Sequence, residues 1–198
     1  MNIKFRTRVI ISLLAAGALI AVLPNSPPIA PPVASSKVRL LNPELRDQNG
    51  TPVHFASDIV GDRIMALNFI YTDCNTACPV ASAIFSKLQN RLGEKLTRDV
   101  RMVSLSINPG TDTPERLKAY AERFHASPEW VWLTGQKAQV DALLKGLGVY
   151  RADYTNHASV ILVGDPSRDV WMRFNGFSSP DDIAARIDEL LVARHEKS

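Results

Sequence analysis

The stretch Met65-Ala66-Leu67-Asn68-Phe69-Ile70-Tyr71-Thr72-Asp73-Cys74-Asn75-Thr76-Ala77-Cys78-Pro79 carries the key to the fold. Its first seven residues are short in run and mostly apolar, as a strand buried on both faces requires. Pro79 suits the first turn of a helix. Beyond it Val80, Ala81, Ile84, Phe85 and Leu88 share one helical face. The two cysteines of the chain, four apart, therefore stand where a buried strand hands over to a helix. Catalytic groups and ligands collect at such carboxyl ends of strands in open α/β sheets, and the unpaired amides of a helix N-terminus favour a thiolate there.

Outward from this junction, strand and helix patterns alternate. Upstream, Arg39–Leu41 and Thr51–Phe55 flank the polar turn Asp47-Gln48-Asn49-Gly50, whose Asn-Gly pair suits a hairpin. Downstream, Met102–Ile107 alternates Val103, Leu105 and Ile107 with Ser104 and Ser106. Thr113-Pro114 opens a helix expected to reach about Phe124. Val131–Leu133 forms a short strand. Val140, Leu143, Leu144 and Leu147 define another amphipathic helix, Ser159–Val163 and Val170–Phe174 form strands around Pro166, and Ser179-Pro180 caps a last helix. The expectation is an α/β chain of thioredoxin-like fold, a mixed central sheet flanked by helices with an added N-terminal β-hairpin.

The 198 residues, 45% of them hydrophobic, suffice for one well-formed core with an accessory segment. Lys4, Arg6 and Arg8 are the only charges among the first 25 residues. With them set aside from the 23 basic residues, 20 remain against 20 acidic ones, so the formal charge of +3 does not describe a basic face for nucleic acid. These three cations precede the apolar run Val9–Leu23, broken only by Ser12 and Gly17, as in an export signal or membrane anchor. No convincing small-residue cleavage site follows, which favours an uncleaved anchor with its basic end inside. Five prolines at 24, 27, 28, 31 and 32 make residues 24–36 an extended spacer. The expected organisation is a signal or anchor over 1–23, a Pro-rich linker over 24–36, and the folded domain over 37–198. That domain would lie outside the cytoplasm, on the periplasmic side.

In an oxidising compartment Cys74 and Cys78 could form a structural disulfide, yet a loop so small constrains few residues of the unfolded chain. Chemistry explains the placement better. Two thiolates are too few for a closed tetrahedral zinc site, whereas soft Cu(I) accepts fewer ligands and prefers sulfur. A third donor would be a histidine. His54, His125 and His195 fall in the hairpin, after a helix and in the polar tail. His157 stands directly before the Ser159–Val163 strand, where a thioredoxin arrangement brings its loop beside the cysteine loop. The rival reading is a metal-independent thiol–disulfide oxidoreductase acting through Cys74 and Cys78 on a partner's cysteines. A peroxidase would need an arginine near the thiolate, and neither loop supplies one.

Taken together, residues 40–192 resemble the Sco/SenC family, the copper-binding assembly factors of cytochrome c oxidase. The resemblance rests on Asn68-Phe69-Ile70-Tyr71-Thr72 running into Cys74-x-x-x-Cys78-Pro79, on Ser106–Glu115, on Trp132-Leu133-Thr134-Gly135 and on His157 before a strand. It implies a membrane-anchored thioredoxin fold that binds Cu(I) or Cu(II) through Cys74, Cys78 and His157. The implied task is delivery of copper to the oxidase subunit with the dinuclear copper centre, or to another copper or thiol protein, or reduction of the acceptor cysteines. Two positions depart from the family pattern. Asn75-Thr76-Ala77 separates the cysteines where Pro-Asp-x is usual, and Asn108 stands where the family has an aspartate.

Overall fold

The structure, a computed structural model, describes residues 38–156 and 159–196. The expected anchor, the linker and His157 lie outside the described residues. In order the chain forms β1 (Glu44–Asp47), β2 (Pro52–His54), β3 (Ile64–Ile70), α1 (Ala77–Leu92), α2 (Lys95–Arg98), β4 (Val100–Ser106), α3 (Pro114–Glu122), β5 (Trp130–Thr134), α4 (Lys137–Gly146), β6 (Val160–Asp165), β7 (Val170–Asn175) and α5 (Pro180–His195). A π-helical turn spans Phe55–Val60, and a 3-10 turn, Tyr154–Asn156, leads towards β6.

The seven strands form one mixed sheet in the order β2-β1-β5-β4-β3-β6-β7. β3, β4 and β5 run parallel, and the other pairings are antiparallel. All seven residues of β3 are buried. Successive side chains point to opposite faces, so Ile64, Ala66 and Ile70 join Phe85 of α1, Leu117 of α3 and Ile187 of α5. Met65, Leu67 and Phe69 join Val140 and Leu143 of α4 on the other face. This is the expected α/β architecture, with the hairpin added at the β5 edge.

Several details refine or differ from the expectation. The first strand is Glu44–Asp47, not Arg39–Leu41: the Arg39 amide donates to the Gly146 carbonyl at 2.8 Å, and Leu40 and Leu41 pack against the α4-side core without joining a ladder. The hairpin turn itself is where Asn-Gly places it. Asp47 Oδ1 accepts from the amides of Asn49 and Thr51, and Gly50 takes φ +81°, which a side chain would resist. In β4 the Ser104 and Ser106 hydroxyls face the interior, so the alternation marks two buried faces. Ser104 Oγ donates to Asn68 Oδ1 at 2.6 Å and accepts from the Trp130 indole at 2.9 Å. On α1, Val80 is 46% exposed while Ala81, Phe85 and Leu88 are buried.

Both proline-capped helices form as expected. Thr113 Oγ1 accepts from the Arg116 amide and Ser179 Oγ from the Asp181 amide. α3 ends at Glu122, two residues short of Phe124. At the opposite end of α5, Arg194 donates to both oxygens of Asp165, the last residue of β6. No helix among the described residues is long and apolar enough to cross a membrane.

Candidate metal centre

The cysteines lie just past the carboxyl end of β3. The chain turns as the Cys74 amide donates to the Tyr71 carbonyl at 3.1 Å, and α1 begins at Ala77. Cys78 sits in its first turn, where its amide donates to Cys74 Sγ at 3.3 Å. The Thr76 hydroxyl stands 3.8 Å from the same sulfur. Both are free thiols, 6% and 1% exposed.

Burial opposes charge on Cys74, yet the Cys78 thiol and amide and the Thr76 amide and hydroxyl all turn towards its sulfur and bring its pKa down to about 7. Burial, and then the loss of its proton as a donor to Cys74, push Cys78 up to about 12. The pair therefore holds one negative charge near neutrality, on Cys74. Alkylation of Cys74 by iodoacetamide is accordingly expected to reach half its maximal rate near pH 7, with Cys78 unmodified. Peptide mass spectrometry across a pH series checks this, and a midpoint at the ordinary thiol value, roughly 8.5, would contradict it.

Tyr71 adds a hydroxyl facing Cys74. Burial and then that hydrogen bond push the phenol up to about 12. The Tyr154 ring meets the Tyr71 ring edge-on, with centroids 5.3 Å apart. Tyr154 belongs to the 3-10 turn three residues before His157, so the segment leading into β6 does pack beside the cysteine loop as far as it is described. His54, His125 and His195 are exposed. Among the described residues no cluster of three His, Cys, Asp or Glu side chains could hold a metal, and the donors found there are the two sulfurs.

A second layer comes from the connection between β4 and α3. The buried carboxylate of Asp112 accepts from the Thr72 amide at 3.1 Å and the Thr72 hydroxyl at 2.6 Å on one oxygen, and from the Ser106 hydroxyl at 2.6 Å on the other. Thr72 Oγ1 accepts in turn from Arg116 Nε and Nη2, at 3.1 and 2.8 Å, and Arg116 also pairs with Asp73. An arginine therefore does approach the cysteine loop, from a helix that neither loop contains, but its guanidinium is engaged by Thr72 and Asp73. Asn108 donates its amide to Ser106 Oγ at 3.1 Å and lines a cavity of about 200 Å³ together with Phe69, Leu144, Arg151 and Tyr154. Of these residues, Tyr71, Thr76, Asp112 and Arg116 were not apparent as site residues from sequence. Tyr71 and Asp112 lie inside the stretches that carry the resemblance, whereas Arg116 has no local signal.

A family model described as SCO1/SenC matches residues 42–192. The SCO2-like protein of Rickettsia prowazekii is 31% identical over 146 residues, 71% of this chain and 69% of that protein. A relative from Stutzerimonas stutzeri is 31% identical over 106 residues, 54% of this chain and 50% of the relative, so this match spans half of that relative's length. Among solved structures, Bradyrhizobium japonicum ScoI with copper bound is 27% identical, with a TM-score of 0.61, over 75% of this chain and 98% of that one. BsSco, in which a disulfide switch was identified and which is a member of the Sco family of cytochrome c oxidase assembly proteins, is 25% identical. Its TM-score is 0.66 over 80% of this chain and 95% of that one.

Proposed function

The chain belongs to the SCO1/SenC family, and on that premise we propose that it binds copper for cytochrome c oxidase assembly through the thiolates of Cys74 and Cys78 and the imidazole of His157. The observation that carries this reading is the pair of free thiols at the junction of β3 and α1, with the Cys78 amide at the start of the helix donating to Cys74 Sγ. Two soft sulfurs select Cu(I) over harder cations. A set of three donors leaves the ion open to attack, so an acceptor's own sulfur or nitrogen donors can replace the protein's one at a time. Shielding by Tyr71, Thr76 and the start of α1 limits water at the sulfurs. The acceptor is the copper-receiving subunit of the oxidase or another copper or thiol protein. Residues 1–23 would anchor the domain, with 24–36 as spacer, on the extracytoplasmic side.

The unequal ionisation of the two thiols also favours a second reading, thiol–disulfide exchange. The Cys74 thiolate attacks one sulfur of a partner disulfide, and the other partner sulfur leaves and takes a proton. Cys78 then gives up its proton and attacks Cys74 within the mixed disulfide. The partner departs reduced by two electrons, and Cys74 and Cys78 are left as a disulfide.

Anaerobic Cu(I) titration of the reduced full chain against a competing chelator tests the copper reading. A one-to-one complex is expected, weakened at least tenfold, about 1.4 kcal/mol, in His157→Ala. Affinity indifferent to that substitution removes His157 from the site. Absence of specific binding in both proteins sinks the copper reading and leaves thiol exchange.

A further inference from the structure

We propose that Asp112 is the positioning residue of the thiol site, holding the cysteine loop in its binding geometry through Thr72. The inference rests on the reading of Cys74 and Cys78 as the working pair, whichever cargo they serve. Asp112 is 1% exposed and sits forty residues from Thr72 in sequence. A carboxylate taken out of water must find donors, and this one accepts from three, two of them on Thr72 and one on Ser106. Ser106 is the last residue of β4, and Thr72 lies two residues beyond the end of the neighbouring β3. The ladder between these strands ends at Ile70 opposite Ser106, with one more bond from the Ile107 amide to the Ile70 carbonyl at 2.9 Å. Past that point the strands diverge, one into the cysteine loop and the other towards α3. Asp112 bridges the divergence and fixes the chain two residues before Cys74.

Arg116 closes the same device from outside, donating to Thr72 Oγ1 and pairing with Asp73. The two sequence stretches Asn68–Thr72 and Ser106–Glu115 thus form one hydrogen-bonded unit, and its output is the position of the first sulfur. Charge-assisted bonds of 2.6 Å are short enough to define that position closely.

The test uses the full chain and three variants. Asp112→Ala is expected to lose at least tenfold in Cu(I) affinity. Asp112→Asn, whose Oδ1 still accepts from Thr72 and whose amide can donate to Ser106, should recover most of that loss. Thr72→Val, which removes the hydroxyl and keeps the amide that donates to Asp112, should lose several-fold while retaining a cooperative urea transition. A metal-free arm follows the rate of Cys74 alkylation at a single alkaline pH, expected to change in Asp112→Ala and return towards wild type in Asp112→Asn, which keeps the hydrogen bonds. If Asp112→Ala retains wild-type affinity and alkylation rate, or if Asp112→Asn is as impaired as Asp112→Ala, the proposal is overturned. Should Asp112→Ala fail to fold, a folded Thr72→Val with wild-type affinity and rate overturns it alone. Wild type that binds no Cu(I) refutes the copper reading, while the alkylation arm still decides on Asp112.

Discussion

Cys74→Ser is expected to weaken Cu(I) binding on the order of 10²-fold in the same anaerobic competition. Metal sites built on thiolates and imidazoles reach apparent binding energies of roughly 10–16 kcal/mol with zinc. Taken as a scale and shared over the four donors of such a site, that is about 3 kcal/mol for each, or about two decades of affinity. Serine keeps the size but offers a hard oxygen that stays protonated at neutral pH, whereas the sulfur it replaces ionises at about 7. Proton release need not be overcome at Cys74, so its loss is felt in full. Cys78→Ala should cost as much by a different route. It removes one donor and also the thiol that hydrogen-bonds Cys74, so the Cys74 alkylation midpoint should rise in that variant. Both losses exceed the tenfold expected for His157→Ala, because the imidazole is the least soft of the three ligands. If Cys74→Ser binds Cu(I) as tightly as wild type, copper does not reside on this pair.

The parts of the molecule legible from sequence are those whose signal is local. β3 shows itself as a mostly apolar run interrupted by Asn68, the hairpin turn as Asp47 and Gly50, and α3 and α5 as capped prolines. The cysteine pair is legible for the same reason, since both sulfurs and the helix that polarises them lie within five residues. β1 is not, because this four-residue strand, paired between β2 and β5, buries one residue, Leu45, among polar neighbours, while the apolar Val38, Leu40 and Leu41 just upstream serve the core without pairing. Likewise α2, four residues long, falls below the length at which periodicity can register. Arg116 and Asp112 reach the cysteine loop across some forty residues of chain. Such contacts exist only once β3 and β4 lie side by side, and nothing in the spacing of the residues announces them. The partners of Ser104 and Ser106 are hidden for the same reason: their hydroxyls bond Asn68 and Asp112 once the strands and the β4–α3 connection are in place.

Arg194→Ala is expected to destabilise the fold by about 3–5 kcal/mol at neutral pH, the cost of leaving a buried carboxylate without its cation. Asp165 is fully buried at the end of β6, and Arg194 engages both its oxygens, at 2.6 and 3.0 Å, while also donating to the Asp62 carbonyl just before β3. One side chain thereby ties the last turn of α5 to the base of two central strands. Burial opposes ionisation of Asp165, but Arg194 and the Ser167 hydroxyl and amide outweigh it and hold the carboxyl below its ordinary value. In wild type this contribution is complete above the unfolded carboxyl pKa, roughly 3.9, and is lost as pH falls through the lower folded value. The variant reverses the sign. Without the guanidinium, burial dominates and the carboxyl rises above its unfolded value, so the folded state then holds a proton that the unfolded state has released. The deficit should therefore be largest near pH 7 and shrink on acidification towards pH 4.5, as Asp165 takes up that proton. At roughly 2–4 °C per kcal/mol for a chain of this size, the midpoint should fall by about 6–20 °C at pH 7. Thermal unfolding followed by circular dichroism at the two pH values measures both quantities. A loss under about 1 kcal/mol would show that Ser167 alone satisfies the carboxylate, and an equal loss at both pH values would show that Arg194 acts by packing α5, not through the charge of Asp165.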